Sequence, residues 1–366
     1  MRVAIAHDWL TNLGGAERVV ESLTKLYPDA PIYTSVYDEV RFDKFRDKKV
    51  ISSFLQRWPF SRRRHQLYPT LRRYAFESFD FSGYDVVITS ASAEAKGIIT
   101  TTETKHIAYI HTPTRYYWSG YENYLENPGY GLLNPLVKLI LPRLIQTMRH
   151  WDYAAAARAD VVVANSQTVS DRIKKYYNRE AKVISPPVNV ERFTNPHPQD
   201  KGYFLVVSRL IPYKRIDLAI QACNELGLPL VVVGKGSELK NLCKIAGKTI
   251  QFDTQADDTA VVEYMKNCKA FLFPGCEDFG ITPVEAMSAG KPVIAYGKGG
   301  ASETVEDGKT GILFAQQSKE SLKAALTKFG TMTFKHTEIT AHASNYSEAV
   351  FLSKMEEIIH ETTSKE

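Results

Sequence analysis

No stretch of this 366-residue chain approaches the ~20 consecutive apolar residues needed to span a bilayer. Its most apolar long run, residues 132–142, is interrupted by Pro135, Lys138 and Pro142. Cysteine is scarce and unpatterned: Cys223, Cys243, Cys268 and Cys276 all fall in the second half, with no C-x-x-C spacing. That argues against a disulfide framework or a zinc site and for reduced thiols. The opening residues 1–8 have no signal-peptide pattern and read directly as a strand. The expected location is cytoplasmic, at most peripheral on the inner face of a membrane. A net charge of +5 is too small to imply nucleic acid. One absence is local: from residue 48 to residue 76 there is no Asp or Glu.

Against these absences stands a regular alternation of short β-branched runs with helical patterns, which argues for an α/β protein with parallel sheets. Candidate strands in the first half are 3–6, 32–36, 86–89, 107–110 and 161–164; in the second half they are 204–207, 230–233, 270–273, 293–296 and 312–314. The expected fold is two Rossmann-like doubly wound domains facing across a cleft, with ligands at the carboxyl ends of the strands. The expected boundaries are 1–192 for the first domain, a polar linker over 193–202, 203–347 for the second domain, and a final helical stretch over 348–366.

The densest chemistry lies in Glu277-Asp278-Phe279-Gly280-Ile281-Thr282-Pro283-Val284-Glu285. It reads as a loop entering a short helix between two strands. Backbone N–H groups at a helix start suit phosphate, and a loop carboxylate suits sugar hydroxyls. Thr282-Pro283-Val284-Glu285 also reads as a capping box, with Thr282 as N-cap. Glu277 lies before that cap and has no evident local structural duty. Two glutamates with seven residues between them, bracketing Phe-Gly-Ile, resemble the signature of retaining glycosyltransferase family 4, of GT-B architecture. By that resemblance Phe279, Gly280, Ile281 and Thr282 line the donor diphosphate, Glu277 positions the sugar, and Glu285 holds the ribose.

Other segments fit the same frame. Arg209 ends the 204–207 strand and Lys214 precedes the next helix, where cations would stabilise a departing diphosphate. They match the family's phosphate-binding pair. Gly234-Lys235-Gly236 permits close approach to a ligand, and is equally a routine tight turn. Phe252 and Asp253 fall on the loop where the family places nucleobase contacts, and Asp253 is suited to accept hydrogen bonds from guanine. In the first half Gly14 and Gly15 resemble the family's glycine-rich donor loop. His111, at a strand end, opens His111-Thr112-Pro113-Thr114-Arg115-Tyr116-Tyr117-Trp118, similar to bacterial mannosyltransferases of surface polysaccharide synthesis that use GDP-mannose. There the matching His contacts the transferred sugar.

No D-x-D pair lies in the segments expected at the cleft, so metal-independent chemistry without a cofactor is expected. The resemblance implies a metal-independent retaining transferase moving a hexose, mannose first among the candidates, to a glycan or polyprenyl-diphosphate-linked acceptor. A UDP- or ADP-sugar donor and a non-catalytic nucleotide-sugar-binding subunit are the alternatives. The acid-free stretch 48–76 interleaves arginines with Trp58, Phe60 and Tyr74. It suits an anionic membrane surface, a solvated loop being the plain alternative.

Overall fold

The structure is a computed structural model that describes residues 1–12, 14–126, 131, 134–195 and 199–364. Leu13 of the glycine-rich loop, Leu132 and Leu133 of the apolar run, and residues 196–198 of the expected linker lie outside the described residues. The chain divides into two compact units, Met1–Ser185 with Phe351–Glu366, and Pro186–Val350.

Among the described residues the first unit holds a seven-stranded sheet in the order β3-β2-β1-β4-β5-β6-β7. Its strands are β1 Val3–His7, β2 Ile32–Thr34, β3 Val50–Ser52, β4 Val86–Ala91, β5 Lys105–Ile110, β6 Val161–Ala164 and β7 Lys182–Val183. Every pairing is parallel. The central strands carry unbroken runs of Val, Ile and Ala because helices cover both faces. Each fully buried Val or Ile contributes about 1.5–3 kcal/mol over leaving it exposed. Phe351, Met355, Ile358 and Ile359 of the last helix, Glu348–Thr363, complete this core against Ile5 and Tyr109.

The second unit holds a six-stranded parallel sheet, β10-β9-β8-β11-β12-β13. Its strands are β8 Phe204–Val207, β9 Leu230–Val233, β10 Ile250–Asp253, β11 Ala270–Phe273, β12 Val293–Tyr296 and β13 Gly311–Phe314. Val188 and Phe193 are buried in this unit's core, so the chain enters it at Pro186 rather than after residue 192. In both sheets the strand order reverses beside the first strand: between β1 and β4, and between β8 and β11. Such switch points leave a crevice at the carboxyl ends, where open α/β sheets bind ligands.

Three expectations change. Gln251, Phe252 and Asp253 lie in β10, not in a loop, and Phe252 packs against the core. The helix after β11 spans Ile281–Ser288 and begins two residues earlier than the capping box requires. Its N-cap is Gly280 at φ 86°, where a Cβ would come within 3.2 Å of the Phe273 ring. Thr282 is therefore inside the helix and Glu285 is its fifth residue. Finally, residues 48–76 are not an open loop: they form β3 and four short helical elements, Phe54–Arg57, Ser61–Arg64, His65–Leu67 and Pro69–Glu77.

Candidate functional site

In the second unit, Arg209 and Lys214 follow β8 and Glu277 follows β11, the two strands that flank the switch point. The Lys214 ammonium is ion-paired with the Glu277 carboxylate, and both side chains are largely buried. Gly275 makes the approach possible, since a Cβ there would stand 3.1 Å from the Lys214 backbone. Tyr213 ties the cations together. Its hydroxyl accepts from Arg209 Nη2 at 3.4 Å, and its ring lies 5.3 Å from Lys214 Nζ. Arg209 itself is exposed.

The Glu277–Phe279 segment is braced from the loop after β12. Gly300 N–H donates to Glu277 O at 2.9 Å, and a Cβ at Gly300 would fall 2.2 Å from Phe279 Cα. Gly299, at φ 71°, leaves no more room: its Cβ would meet Glu277 O at 2.3 Å. Beyond Phe279 the first turn of Ile281–Ser288 presents N–H groups that have no acceptor within the helix. Phe279 is buried, and Glu285 is 5% exposed. Tyr213, Gly275, Gly299 and Gly300 escape motif reading; their only sequence signal is a glycine or aromatic just beyond a strand end.

Two expected contacts acquire structural duties. Gly234, at φ 141°, and Gly236 clear the loop after β8: their Cβ atoms would fall 1.9 Å from Ser208 O and 2.1 Å from Leu210 O. Asp253 accepts from the N–H groups of Gln255 and Ala256, both at 2.8 Å, and from the Tyr264 hydroxyl at 3.0 Å. The Gln255 amide first, then Tyr264 and Ala256, hold its carboxyl below the usual range despite some desolvation.

In the first unit, Gly14 precedes the helix Gly15–Leu26 as its N-cap and His111 follows β5. The string after His111 is anchored to two buried carboxylates. Asp152 takes the Thr114 hydroxyl at 2.8 Å, Trp118 Nε1 at 2.8 Å, Tyr177 OH at 2.6 Å and Lys96 Nζ at 2.6 Å. Glu94 takes Arg72 at 2.8 and 3.0 Å and the Tyr116 and Tyr117 hydroxyls at 2.9 Å. Burial alone would raise the Glu94 pKa, but the Arg72 charge and these hydrogen bonds hold it low. Most of the string therefore serves to fix the backbone that carries His111. The ring Nε2 lies 2.8 Å from Ser90 Oγ, and Asn165 Nδ2 donates to His111 O at 3.0 Å.

Among the described residues no group of three or more His, Cys, Asp or Glu side chains is placed to hold a metal ion. Nor is any described helix long and apolar enough to cross a membrane. In the acid-free stretch Arg72 is buried against Glu94, while Phe54, Trp58, Phe60 and Tyr74 are exposed.

Residues 13–192 match the model of Glycosyltransferase Family 4, and residues 187–346 that of Glycosyl transferases group 1. An uncharacterized glycosyltransferase of Methanocaldococcus jannaschii is 24% identical over 332 residues, 88% of this chain and 86% of that protein. An alpha-1,3/1,6-mannosyltransferase of Dictyostelium discoideum is 27% identical over 378 residues, 86% of each. Alignments to bacterial D-inositol 3-phosphate glycosyltransferases span about half of this chain and of those proteins. The fold is similar to that of Anabaena HepE, solved with UDP-glucose, at a TM-score of 0.71 and 20% identity over 99% of this chain and all of that one. The two matched models overlap over residues 187–192 and together cover 13–346, and the chain belongs to the family 4 glycosyltransferases.

Proposed function

We propose that this glycosyltransferase moves mannose from GDP-mannose, with retention at the anomeric carbon, to a glycan or polyprenyl-diphosphate-linked glycan. The observation that carries the reading is the Lys214–Glu277 pair across the β8–β11 switch point, with Arg209 exposed beside it. Arg209, Lys214 and the amides of Phe279–Thr282 hold the diphosphate, and their charge stabilises it as it departs. Glu277 accepts hydrogen bonds from hydroxyls of the transferred hexose, His111 bonds another, and Glu285 holds the ribose. A carboxylate engaged with the sugar's hydroxyls is a positioning group rather than a nucleophile. Attack on the same face as the leaving phosphate, with that phosphate as base, therefore fits better than a covalent glycosyl-enzyme. Arginine, lysine and helix amides take the place of a divalent ion. Mannose is favoured by the His-Thr-Pro string and by the mannosyltransferase name of the Dictyostelium relative. The enzyme works in the cytoplasm, docked peripherally on the membrane that carries its acceptor.

The test is calorimetric binding of GDP, UDP and ADP, each with its common sugars, to the wild type and to Arg209→Ala. Tight GDP binding that collapses in the variant supports the reading. Preference for UDP or ADP keeps the chemistry and overturns the mannosyl assignment. Binding without transfer or donor hydrolysis leaves a nucleotide-sugar-binding subunit.

A further inference from the structure

Behind His111 runs a buried line of polar side chains at the switch point of the first sheet. His7 ends β1 and is paired in register with Ser90 of β4. Glu17 Oε1, in the first turn of the helix Gly15–Leu26, lies 3.6 Å from His7 Nε2. His7 Nδ1 lies 3.0 Å from Ser90 O and 3.1 Å from Ser90 Oγ. Ser90 Oγ in turn lies 2.8 Å from His111 Nε2. All four residues are 8% exposed or less.

The protons along this line follow from donor and acceptor chemistry. A backbone carbonyl only accepts, so His7 Nδ1 carries a hydrogen, which Ser90 O and Oγ share. With His7 donating toward Oγ, one of its two lone pairs is taken, which favours the serine's own hydrogen pointing at His111 Nε2. That nitrogen then accepts, and a neutral His111 keeps its proton on Nδ1. Burial disfavours charge on His7, but the Glu17 carboxylate, the Asp8 charge and the Ser90 carbonyl outweigh it and raise its pKa. Gly14 makes room for the arrangement, since a Cβ there would lie 2.9 Å from Glu17 Oε2.

We infer that Glu17, His7 and Ser90 are positioning residues that lock His111 in its Nδ1–H tautomer, so that Nδ1 is the ring nitrogen carrying a hydrogen when His111 meets the transferred sugar. The inference rests on the sugar-contact role of His111 proposed above.

Ring nitrogen–proton correlation spectra of the full chain labelled at histidine test it, with His111 assigned through His111→Gln. The expected wild-type spectrum shows His111 Nε2 unprotonated and Nδ1 protonated. In Ser90→Ala and in His7→Phe the ring reverts to a free-imidazole mixture, and kcat falls about ten-fold at unchanged donor KM. A proton on Nε2 in the wild type overturns the inference, and so does an Nδ1–H tautomer that survives both substitutions. Unchanged kcat in Ser90→Ala overturns its part in the reaction. The spectrum needs no turnover, so a wild type that transfers no sugar counts against the proposed function alone.

Discussion

Lys214 is ion-paired with Glu277, 63 positions apart in sequence but in the segments that follow the neighbouring strands β8 and β11. The cation proposed to hold phosphate is thus already engaged by the anion proposed to hold sugar. Donor binding has to exchange one anionic partner of the ammonium for another.

This exchange gives opposite expectations for the two partners. Lys214→Ala weakens nucleoside diphosphate binding about 10- to 100-fold, the worth of a charge-assisted hydrogen bond. Glu277→Gln frees the ammonium, so diphosphate binding holds or tightens while sugar transfer is lost. Titration calorimetry beside a transfer assay reads both. Equal loss of binding in the two variants would mean that the pair merely fastens the loops together.

Acid should destabilise the fold through His65. It is 4% exposed and stacked on Trp9 with ring centroids 4.5 Å apart, and neither of its nitrogens has a hydrogen-bond partner. Burial, then the Arg72 charge, push its pKa down to about 4, with Glu94 opposing. The unfolded chain therefore binds the proton first as pH falls. Stability present above the ordinary histidine pKa of ~6.5 drains away toward pH 4, by about 3 kcal/mol. His65→Phe keeps the stacking and removes the titration. Unfolding free energies from urea titrations at pH 7 and 4.5 should differ by roughly 2 kcal/mol less in the variant than in the wild type. Parallel pH profiles would remove His65 as the cause.

The exposed aromatics of the acid-free stretch make the membrane proposal testable. Phe60 holds φ 58°, a region few bulky residues adopt, and is 74% exposed; Arg62, Arg63 and Arg64 follow it on the surface. Sedimentation with anionic vesicles at low salt should carry the protein down, and neutral vesicles should not. Trp58→Ala combined with Phe60→Ala should weaken the association about ten-fold through lost apolar contact. A wild type that ignores anionic vesicles ends the proposal.

What sequence reading captured and missed divides by position in the sheets. The strands it identified include every central one, which helices cover on both faces, so each reads as an apolar run. The missed strands, β3, β7 and β10, are all edges. Lys182 and Val183 are exposed, Val50 to Ser52 are only half-buried, and Gln251 is exposed beside a half-buried Phe252. Such strands have too little apolar character to stand out from loops. That the motif strings follow strands was legible, but the partners of their side chains were not. Nothing in the spacing of Lys214 and Glu277, or of Glu17, His7, Ser90 and His111, announces that parallel pairing brings them together. The capping-box expectation failed because Gly280, free to take φ 86°, starts the helix two residues sooner.

The backbone contacts at Gly234, Gly236, Gly299 and Gly300 bear on how the proposed donor site could diverge. At each, one loop's main chain leans on another's with no space for a methyl group. A change in length or course of any of these loops would have to be matched at once by its neighbour. New sugar or base preferences are therefore open to single side-chain replacements on a fixed loop scaffold, and closed to piecemeal loop remodelling.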